Sequence, residues 1–318
     1  MECRLSMNER LATLIDVGPR DGFQSIGTII PTATKISLLQ GLHAAGVRRI
    51  EATSFVSEKA VPQFADAVET LSAAQALPGM DPQVLVPNER HAERAIRAGA
   101  KHLAFVLSVS EKHNQNNVRR TPRESAAEYR RIVAGVPAGT KIRLNLATAF
   151  DCPFDGAIEL ETTLTFMEEL VDAAPDAEIC PCDTTGRVTP DRVSILFAAA
   201  KVRFPATRHW AYHGHDTFGL GVANVVAAWG AGVDRIDASI AGLGGCPFAP
   251  GATGNVASED VVWMFQNMGV RTGIDIALLT EVARRAAALP GALSGGRVRE
   301  ALAAQLCLAR SSRGVSVA

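Results

Sequence analysis

The chain has 318 residues, of which 47% are hydrophobic and 20% charged, and its formal net charge is −1. This composition is typical of a globular protein, and the nearly neutral balance argues against nucleic acid or an anionic membrane as a partner. Apolar runs stop short of the roughly 20 residues that a membrane span requires, six cysteines are too few for a disulfide scaffold, and the first residues do not resemble a secretion signal, so we expect a cytoplasmic protein.

Short β-rich segments alternate with longer amphipathic segments along the chain. The predicted strands are, in chain order, ATLIDVG (12–18), VRRIEATSF (47–55), PQVLVPN (82–88), HLAFVLSVS (102–110), KIRLNLATAF (141–150), AEICPCDTT (177–185), HWAYHGHDT (209–217) and VDRIDASIAG (233–242). The helices predicted between them cover 32–46, 88–100, 125–136, 159–174, 190–204 and 221–232. Eight such units in about 250 residues predict a (β/α)8 TIM barrel. An open doubly wound sheet is the alternative, but no glycine fingerprint follows the first strand.

The chain shows no linker, repeat or low-complexity segment that would divide it. We therefore predict one domain over residues 1–318, with the barrel at about 10–272 and additional C-terminal helices in 273–318. The apolar faces of those helices are expected either to cap the barrel or to meet a second subunit.

Two histidines separated by one residue, His213 and His215, lie at the end of the seventh predicted strand. Strand alternation directs both imidazoles to one face, where they form either a metal site or part of the packed barrel interior. With Asp21 and Asn255 they supply a carboxylate, two imidazoles and an amide oxygen. This set favours Mg²⁺ or Mn²⁺, with Co²⁺ or Zn²⁺ as alternatives. The catalytic face of a barrel is its C-terminal rim, where these residues are predicted to lie.

Three further charged residues lie at the same predicted rim. Arg20 precedes Asp21, Glu51 lies on the second strand and Asp183 ends the sixth. Arg20 is a candidate for holding an oxyanion, and the carboxylates are candidates for orienting ligands or water. The alternative is an ion pair between Arg20 and Glu51 or Asp183 that closes the barrel mouth.

A glycine-rich stretch, AGLGGCPFAPGATGN at 241–255, contains Cys246. Glycines allow a loop to move and a ligand to approach closely, so Cys246 is a candidate proton donor to a carbanion. The alternative is that it is a small buried hydrophobic residue, which is the role expected of Cys152, Cys180 and Cys182.

The chain resembles the 3-hydroxy-3-methylglutaryl-CoA lyase family of the DRE-TIM metallolyases. The likeness is carried by DVGPRDGFQ (16–24), IEATSFVSEKAVPQFADA (50–67), RLNLATAFDCPFDG (143–156), HGHDTFG (213–219) and GLGGCPFAPGATGNVASEDVVWM (242–264). In that family the matching residues form a divalent-cation site (Asp21, His213, His215 and Asn255) and a catalytic set (Arg20, Glu51, Asp183, His213 and Cys246). Gln24, Arg143 and Asn145 match substrate-binding positions.

The resemblance implies a retro-Claisen cleavage of a 3-hydroxyacyl-CoA to acetyl-CoA and a ketone or keto acid. The cation acidifies the tertiary hydroxyl, and either Asp183 or His213 removes its proton. Arg20 stabilises the thioester enolate, and Cys246 protonates its carbon. The resemblance also favours a homodimer.

Two departures from the family pattern bear on the substrate. Ser25, Ile26 and Gly27 replace the usual asparagine, glutamate and lysine after the RDG motif, and Asn145 replaces a tyrosine. Both changes indicate a smaller or less anionic substrate than methylglutaryl-CoA.

The competing hypotheses are a condensing acyltransferase of the isopropylmalate or homocitrate synthase type, an aldolase of the same superfamily, and a metal-binding scaffold without activity. The glycine loop with its cysteine disfavours the first of these, and the full set of catalytic residues disfavours the scaffold.

Overall fold

The computed structural model describes residues 11–245 and 254–305. Its strands are β1 (Thr13–Asp16), β2 (Arg49–Ser54), β3 (Asp81–Leu85), β4 (His102–Ser108), β5 (Lys141–Ala147), β6 (Asp151–Cys152), β7 (Gly156–Ala157), β8 (Glu178–Asp183), β9 (His209–Gly214) and β10 (Arg235–Ala238). Eight of them form a closed parallel barrel in the order β1-β10-β9-β8-β5-β4-β3-β2, and β6 and β7 form a separate antiparallel pair. The predicted TIM barrel is confirmed, and each of the eight predicted segments overlaps one barrel strand.

Helices surround the barrel. They are α1 (Thr32–Ala44), α2 (Ala67–Gln75), α3 (Glu89–Arg97), α4 (Glu111–Val118), α5 (Pro122–Gly135), α6 (Leu160–Val171), α7 (Pro190–Arg203), α8 (Gly221–Gly230), α9 (Ser258–Asn267) and α10 (Ile276–Ala287). Helices α2, α4 and α9 do not appear among the segments predicted from periodicity. Residues 298–305 are also helical. Within the described residues, no helix is long and apolar enough to cross a membrane.

Helix α10, which follows the predicted end of the barrel, packs on α1. Gly41 permits this approach, because a Cβ at that position would lie 2.8 Å from a methyl group of Val282. At least part of the C-terminal region therefore covers the barrel wall. The division of the chain at residue 272 stays a prediction.

The interior of the barrel is polar at its centre. The Arg143 side chain has no exposed surface, and its guanidinium donates to Glu178 Oε1 at 2.7 Å and to Asp237 Oδ2 at 2.6 Å. Its Nη2 also lies 3.0 Å from the Sγ atom of Cys180, which packs against Cys182. An ion-pair cluster thus occupies space that branched aliphatic side chains usually fill in TIM barrels.

Asp16 ends β1 as a fully buried acid. Its Oδ1 accepts a hydrogen bond from the Gly18 amide at 2.9 Å, and its Oδ2 accepts one from Ser258 Oγ at 2.6 Å. Burial raises its pKa from 3.8 to about 7, since both hydrogen bonds together offset less than the cost of burying the charge. The folded protein therefore holds this proton more tightly than the unfolded chain does.

We predict that this acid makes stability fall as the pH rises from about 4 to about 7, by an amount on the order of a few kcal/mol. Asp16→Asn copies the protonated acid, because its amide can accept from Gly18 and donate to Ser258. Thermal unfolding at pH 5.5 and pH 8 should show a smaller decrease in Tm for this variant than for the wild type. Asp176→Asn, which alters an exposed acid, serves as the control. Equal pH slopes in all three proteins would contradict the prediction.

Candidate active site

A π-helical turn at Gly18–Gly22 follows β1 and carries Arg20 and Asp21. The carbonyl of Val17 accepts from the amides of both residues, at 3.1 and 2.7 Å. Such turns are rare and are frequently found at functional sites. The turn places the arginine and the aspartate side by side at the C-terminal mouth of the barrel.

His213 lies in β9 and His215 directly follows this strand, and the Nδ1 atom of each ring has a hydrogen-bond partner. His213 Nδ1 lies 3.0 Å from Asp237 Oδ2, and His215 Nδ1 lies 2.9 Å from the carbonyl oxygen of Thr184. A carbonyl only accepts, and the Asp237 oxygen already accepts from Arg143, so both Nδ1 atoms carry the proton. In neutral rings both Nε2 atoms then present lone pairs, and these atoms lie 3.4 Å apart. Two lone pairs that face each other require a proton or a cation between them.

Asp21 and Asn255 lie beside this histidine pair. Asp21 Oδ2 is 3.8 Å from His215 Nε2 and accepts from Asn255 Nδ2 at 2.7 Å. The ligand atoms of Asp21, His213 and His215 all lie within 4.8 Å of one another. Asn255 Oδ1 is buried and has no partner among the described residues. The donor set of carboxylate, imidazole and amide oxygen fits a divalent cation.

Position 244, beside Asp21 and Asn255, requires a glycine. The residue has φ +128°, and a Cβ there would collide with the amide nitrogen of Asn255. The backbone of the glycine-rich stretch therefore approaches the predicted ligand directly.

Arg20 bridges the cluster to β2. Its Nε donates to Glu51 Oε2 and its Nη1 donates to Asp21 Oδ1, both at 2.6 Å. Its Nη2 has no hydrogen-bond partner in the described part of the chain. The ion pair with Glu51 that the sequence offered as an alternative is present, and it leaves one donor nitrogen of the guanidinium for a ligand.

The electrostatics follow from burial and from these contacts. Burial alone would raise the pKa of Asp21, but Arg20 and the two imidazoles bring it well below the usual range. Burial raises the pKa of Glu51, an effect that Arg20 only partly offsets. Burial also raises the pKa of Asp183 to about 6. The Oδ1 atom of Asp183 accepts from the Gly186 amide at 2.9 Å, whereas its Oδ2 has no partner among the described residues.

A cavity of about 170 Å³ opens at this end of the barrel. It is lined by Arg20, Asp21, Gln24, Leu85, Val106, His113, Asn117, Asn145, Ala147, Cys182, Thr184, His213, His215 and Gly245. Six of the site residues predicted from sequence thus line one pocket. Asn255 does not line it but donates a hydrogen bond to the lining residue Asp21. Glu51, Asp183 and Arg143 are fully buried behind its surface. Cys246 lies outside the described residues.

Arg143 lies deeper in the barrel than a substrate-binding residue would. It precedes Asn145 by two residues on β5, and it donates to Asn145 Oδ1 at 2.8 Å. The structure brings Asn145 to the pocket and places Arg143 beneath it. A substrate contact by Arg143 stays a prediction, while its observed contacts hold Asp237 and Glu178.

Asp237 is a site residue that the sequence analysis missed. Its carboxylate joins Arg143 to His213 Nδ1, and such a partner fixes the tautomer and orientation of a metal-binding histidine. The sequence did contain a signal for this role. Asp237 is an acid within the last predicted strand, and strand alternation directs its side chain into the barrel interior.

We expect Asp237→Asn to weaken Mn²⁺ binding about 10- to 100-fold, because the imidazole loses the carboxylate that orients it. Titration calorimetry with Mn²⁺ measures the effect, and a melting curve confirms that the variant folds. Asp234→Asn changes an exposed acid just before the same strand and should bind Mn²⁺ as the wild type does. A folded Asp237→Asn protein with unchanged affinity would refute the assignment.

The base of the glycine-rich stretch is held by Glu259 and by residues beyond the predicted barrel. Glu259 is fully buried; its Oε2 accepts from the Ala241 amide at 3.1 Å and its Oε1 accepts from Arg299 at 3.1 Å. The Gly295 amide donates to the Ala241 carbonyl at 2.9 Å. The C-terminal region thus fixes the start of the segment that contains Gly244.

Comparisons with known proteins agree with this geometry. A family model described as HMGL-like matches residues 12–285. The mitochondrial hydroxymethylglutaryl-CoA lyase of Arabidopsis thaliana is 39% identical over 271 residues, which are 85% of this chain and 58% of that protein. The (R)-citramalyl-CoA lyase of Chloroflexus aurantiacus is 39% identical over 278 residues, which are 84% of this chain and 87% of that protein. A solved HMG-CoA lyase from Acinetobacter baumannii, in complex with coenzyme A and 3-methylmalate, superimposes with a TM-score of 0.86 at 36% identity and covers 95% of this chain and 97% of its own.

Proposed function

Because the chain belongs to the HMGL-like family, we propose that it is a divalent-metal-dependent carbon–carbon lyase that cleaves a 3-hydroxyacyl-CoA to acetyl-CoA and a ketone or keto acid. Similar proteins are named as lyases of hydroxymethylglutaryl-CoA and of (R)-citramalyl-CoA, and a similar structure holds coenzyme A. These relatives favour cleavage over the condensing alternative.

The observation that carries the proposal is the pair of Nε2 atoms at 3.4 Å, each turned to its neighbour by a partner at Nδ1. Asp21, His213, His215 and Asn255 would hold the cation. When bound, Mg²⁺ or Mn²⁺ would acidify the substrate's tertiary hydroxyl and polarise an acyl oxygen. This chain's own residues supply the remaining chemistry.

Arg20 is suited to stabilise the enolate oxygen. Its Nε and Nη1 are held by two carboxylates, so the guanidinium is fixed before the charge develops. Its Nη2 remains for the oxyanion. A hydrogen-bond donor that is already in position stabilises an oxyanion most strongly where water is excluded, because the low dielectric constant there strengthens the electrostatic attraction.

Two residues are candidates for the base that takes the hydroxyl proton. Both ring nitrogens of His213 are engaged once Nε2 binds the cation, whereas Asp183 Oδ2 has no partner among the described residues. His213 lines the pocket, whereas Asp183 is fully buried behind its surface, so the choice between the two stays a prediction. We assign the protonation of the enolate carbon to Cys246, and contacts with the acyl group to Gln24 and Asn145, both of which line the pocket. The homodimer, the cytoplasmic location and the choice between Mg²⁺ and Mn²⁺ stay predictions.

The test is to incubate the purified protein and Mn²⁺ or Mg²⁺ with a panel of 3-hydroxyacyl-CoA thioesters. Acetyl-CoA should form, and a chelator should stop its formation. A parallel incubation with acetyl-CoA and 2-oxo acids should release no free thiol. Thiol release without cleavage would instead identify a condensing enzyme.

A further inference from the structure

The pocket wall away from the predicted ligands carries no charge of its own. It includes three apolar side chains and three neutral polar ones, namely Leu85, Val106, Ala147, His113, Asn117 and Asn145. His113 is buried, its Nδ1 lies 2.7 Å from Ser108 Oγ, and burial lowers its pKa to about 4. The imidazole is therefore neutral at physiological pH.

Arg20 is the one arginine or lysine among the lining residues that the structure describes. Its guanidinium already faces two carboxylates, Glu51 and Asp21, each at 2.6 Å. In the proposed function its remaining nitrogen faces the enolate oxygen. The described wall therefore offers no second cation for a carboxylate on the other half of the substrate.

The segment 246–253 does not change this count. Its sequence, CPFAPGAT, contains no lysine, arginine or histidine.

In the proposed function the divalent cation is engaged by the hydroxyl and an acyl oxygen, and Arg20 by the enolate oxygen. A carboxylate placed against the rest of the wall would therefore lose water without gaining a positive partner, which costs free energy. We propose that the half of the substrate that leaves as the carbonyl product is short and uncharged, so that the substrate is a 3-hydroxyacyl-CoA with small alkyl groups at C3. This inference rests on the proposed lyase function and specifies its substrate class.

The reaction balances without any further reactant. The base takes the proton of the C3 hydroxyl, the C2–C3 bond breaks with its electron pair on C2, and the acid delivers a proton to C2. The products are acetyl-CoA and a neutral ketone.

The first test compares three thioesters: 3-hydroxy-3-methylbutyryl-CoA, 3-hydroxy-3-methylglutaryl-CoA and the terminal amide of the latter. The amide has the size of the glutaryl compound without its charge. We expect kcat/KM for the butyryl compound to exceed that for the glutaryl compound about 10- to 100-fold, with the amide in between. A preference for the charged compound overturns the inference and leaves the lyase function intact. Cleavage of none of the three overturns both.

The second test adds a cation to the wall. Asn117 is exposed on α4 and lines the pocket, so Asn117→Lys should fold normally and attract a carboxylate. We expect it to raise kcat/KM for the glutaryl compound, relative to that for the butyryl compound, about two- to fivefold at low salt, with less gain at high salt. Asn116→Lys adds the same charge at the neighbouring exposed position, which does not line the pocket, and should change neither value. Equal effects of the two variants would overturn the inference.

Discussion

Replacing His215 by alanine should abolish tight Mn²⁺ binding and lower kcat/KM at least about 1,000-fold, because the loss of a bound Lewis acid removes several kcal/mol of transition-state stabilisation. His215 is 5% exposed, and its Nε2 faces both His213 and Asp21. Mn²⁺ binding is measured by calorimetry, and cleavage by acetyl-CoA release.

The matched control is His209→Ala, which removes the same side chain from the first position of β9, whereas His215 directly follows the last position. It should leave Mn²⁺ affinity and kcat close to the wild-type values. A His215→Ala protein that folds, binds Mn²⁺ as the wild type does and retains its activity would refute the ligand assignment.

The second large effect is expected at Arg20. Arg20→Lys keeps the positive charge but cannot contact Glu51 and Asp21 with two fixed nitrogens and still present a third to the substrate. We expect kcat to fall about 100- to 1,000-fold, the usual effect of losing one oxyanion donor, while Mn²⁺ affinity changes only a few-fold.

Arg94→Lys is the control for this substitution, since Arg94 pairs with a carboxylate, Glu58, at an exposed position away from the pocket. Its kinetics should match those of the wild type. If Arg20→Lys lowered Mn²⁺ affinity and kcat in equal measure, Arg20 would be holding Asp21 and not stabilising the enolate.

The barrel was predictable from sequence because each of its eight strands is a short β-rich segment between turn signals or helices. The histidine pair was predictable for a related reason: a period of two places His213 and His215 on one face without any knowledge of the fold. The same rule puts Arg143 and Asn145 on one face but does not state how deep each lies. A strand rises about 3.3 Å per residue, so Arg143 lies roughly 7 Å deeper along β5 than Asn145. This distance is enough to separate the pocket-lining Asn145 from the buried Arg143.

Other features depend on tertiary contacts that no local pattern encodes. Helix α4 is too polar to show an apolar period, yet it brings His113 and Asn117 into the pocket; their separation by four residues on one helical face was the available signal. From sequence alone, Glu259 would be expected to be exposed, because it lies in the first turn of α9 and acidic residues are common there. It is buried instead, because Arg299 and the Ala241 amide, both distant in the chain, meet it.

The central claim is that four side chains from three parts of the chain hold one divalent cation at the barrel mouth. Anomalous diffraction from a crystal soaked in Mn²⁺ tests it directly. The account predicts a single strong peak at the mouth, about 2 Å from Asp21, His213 Nε2, His215 Nε2 and Asn255 Oδ1. The absence of a peak there, or a peak whose ligands exclude both histidines, would contradict it.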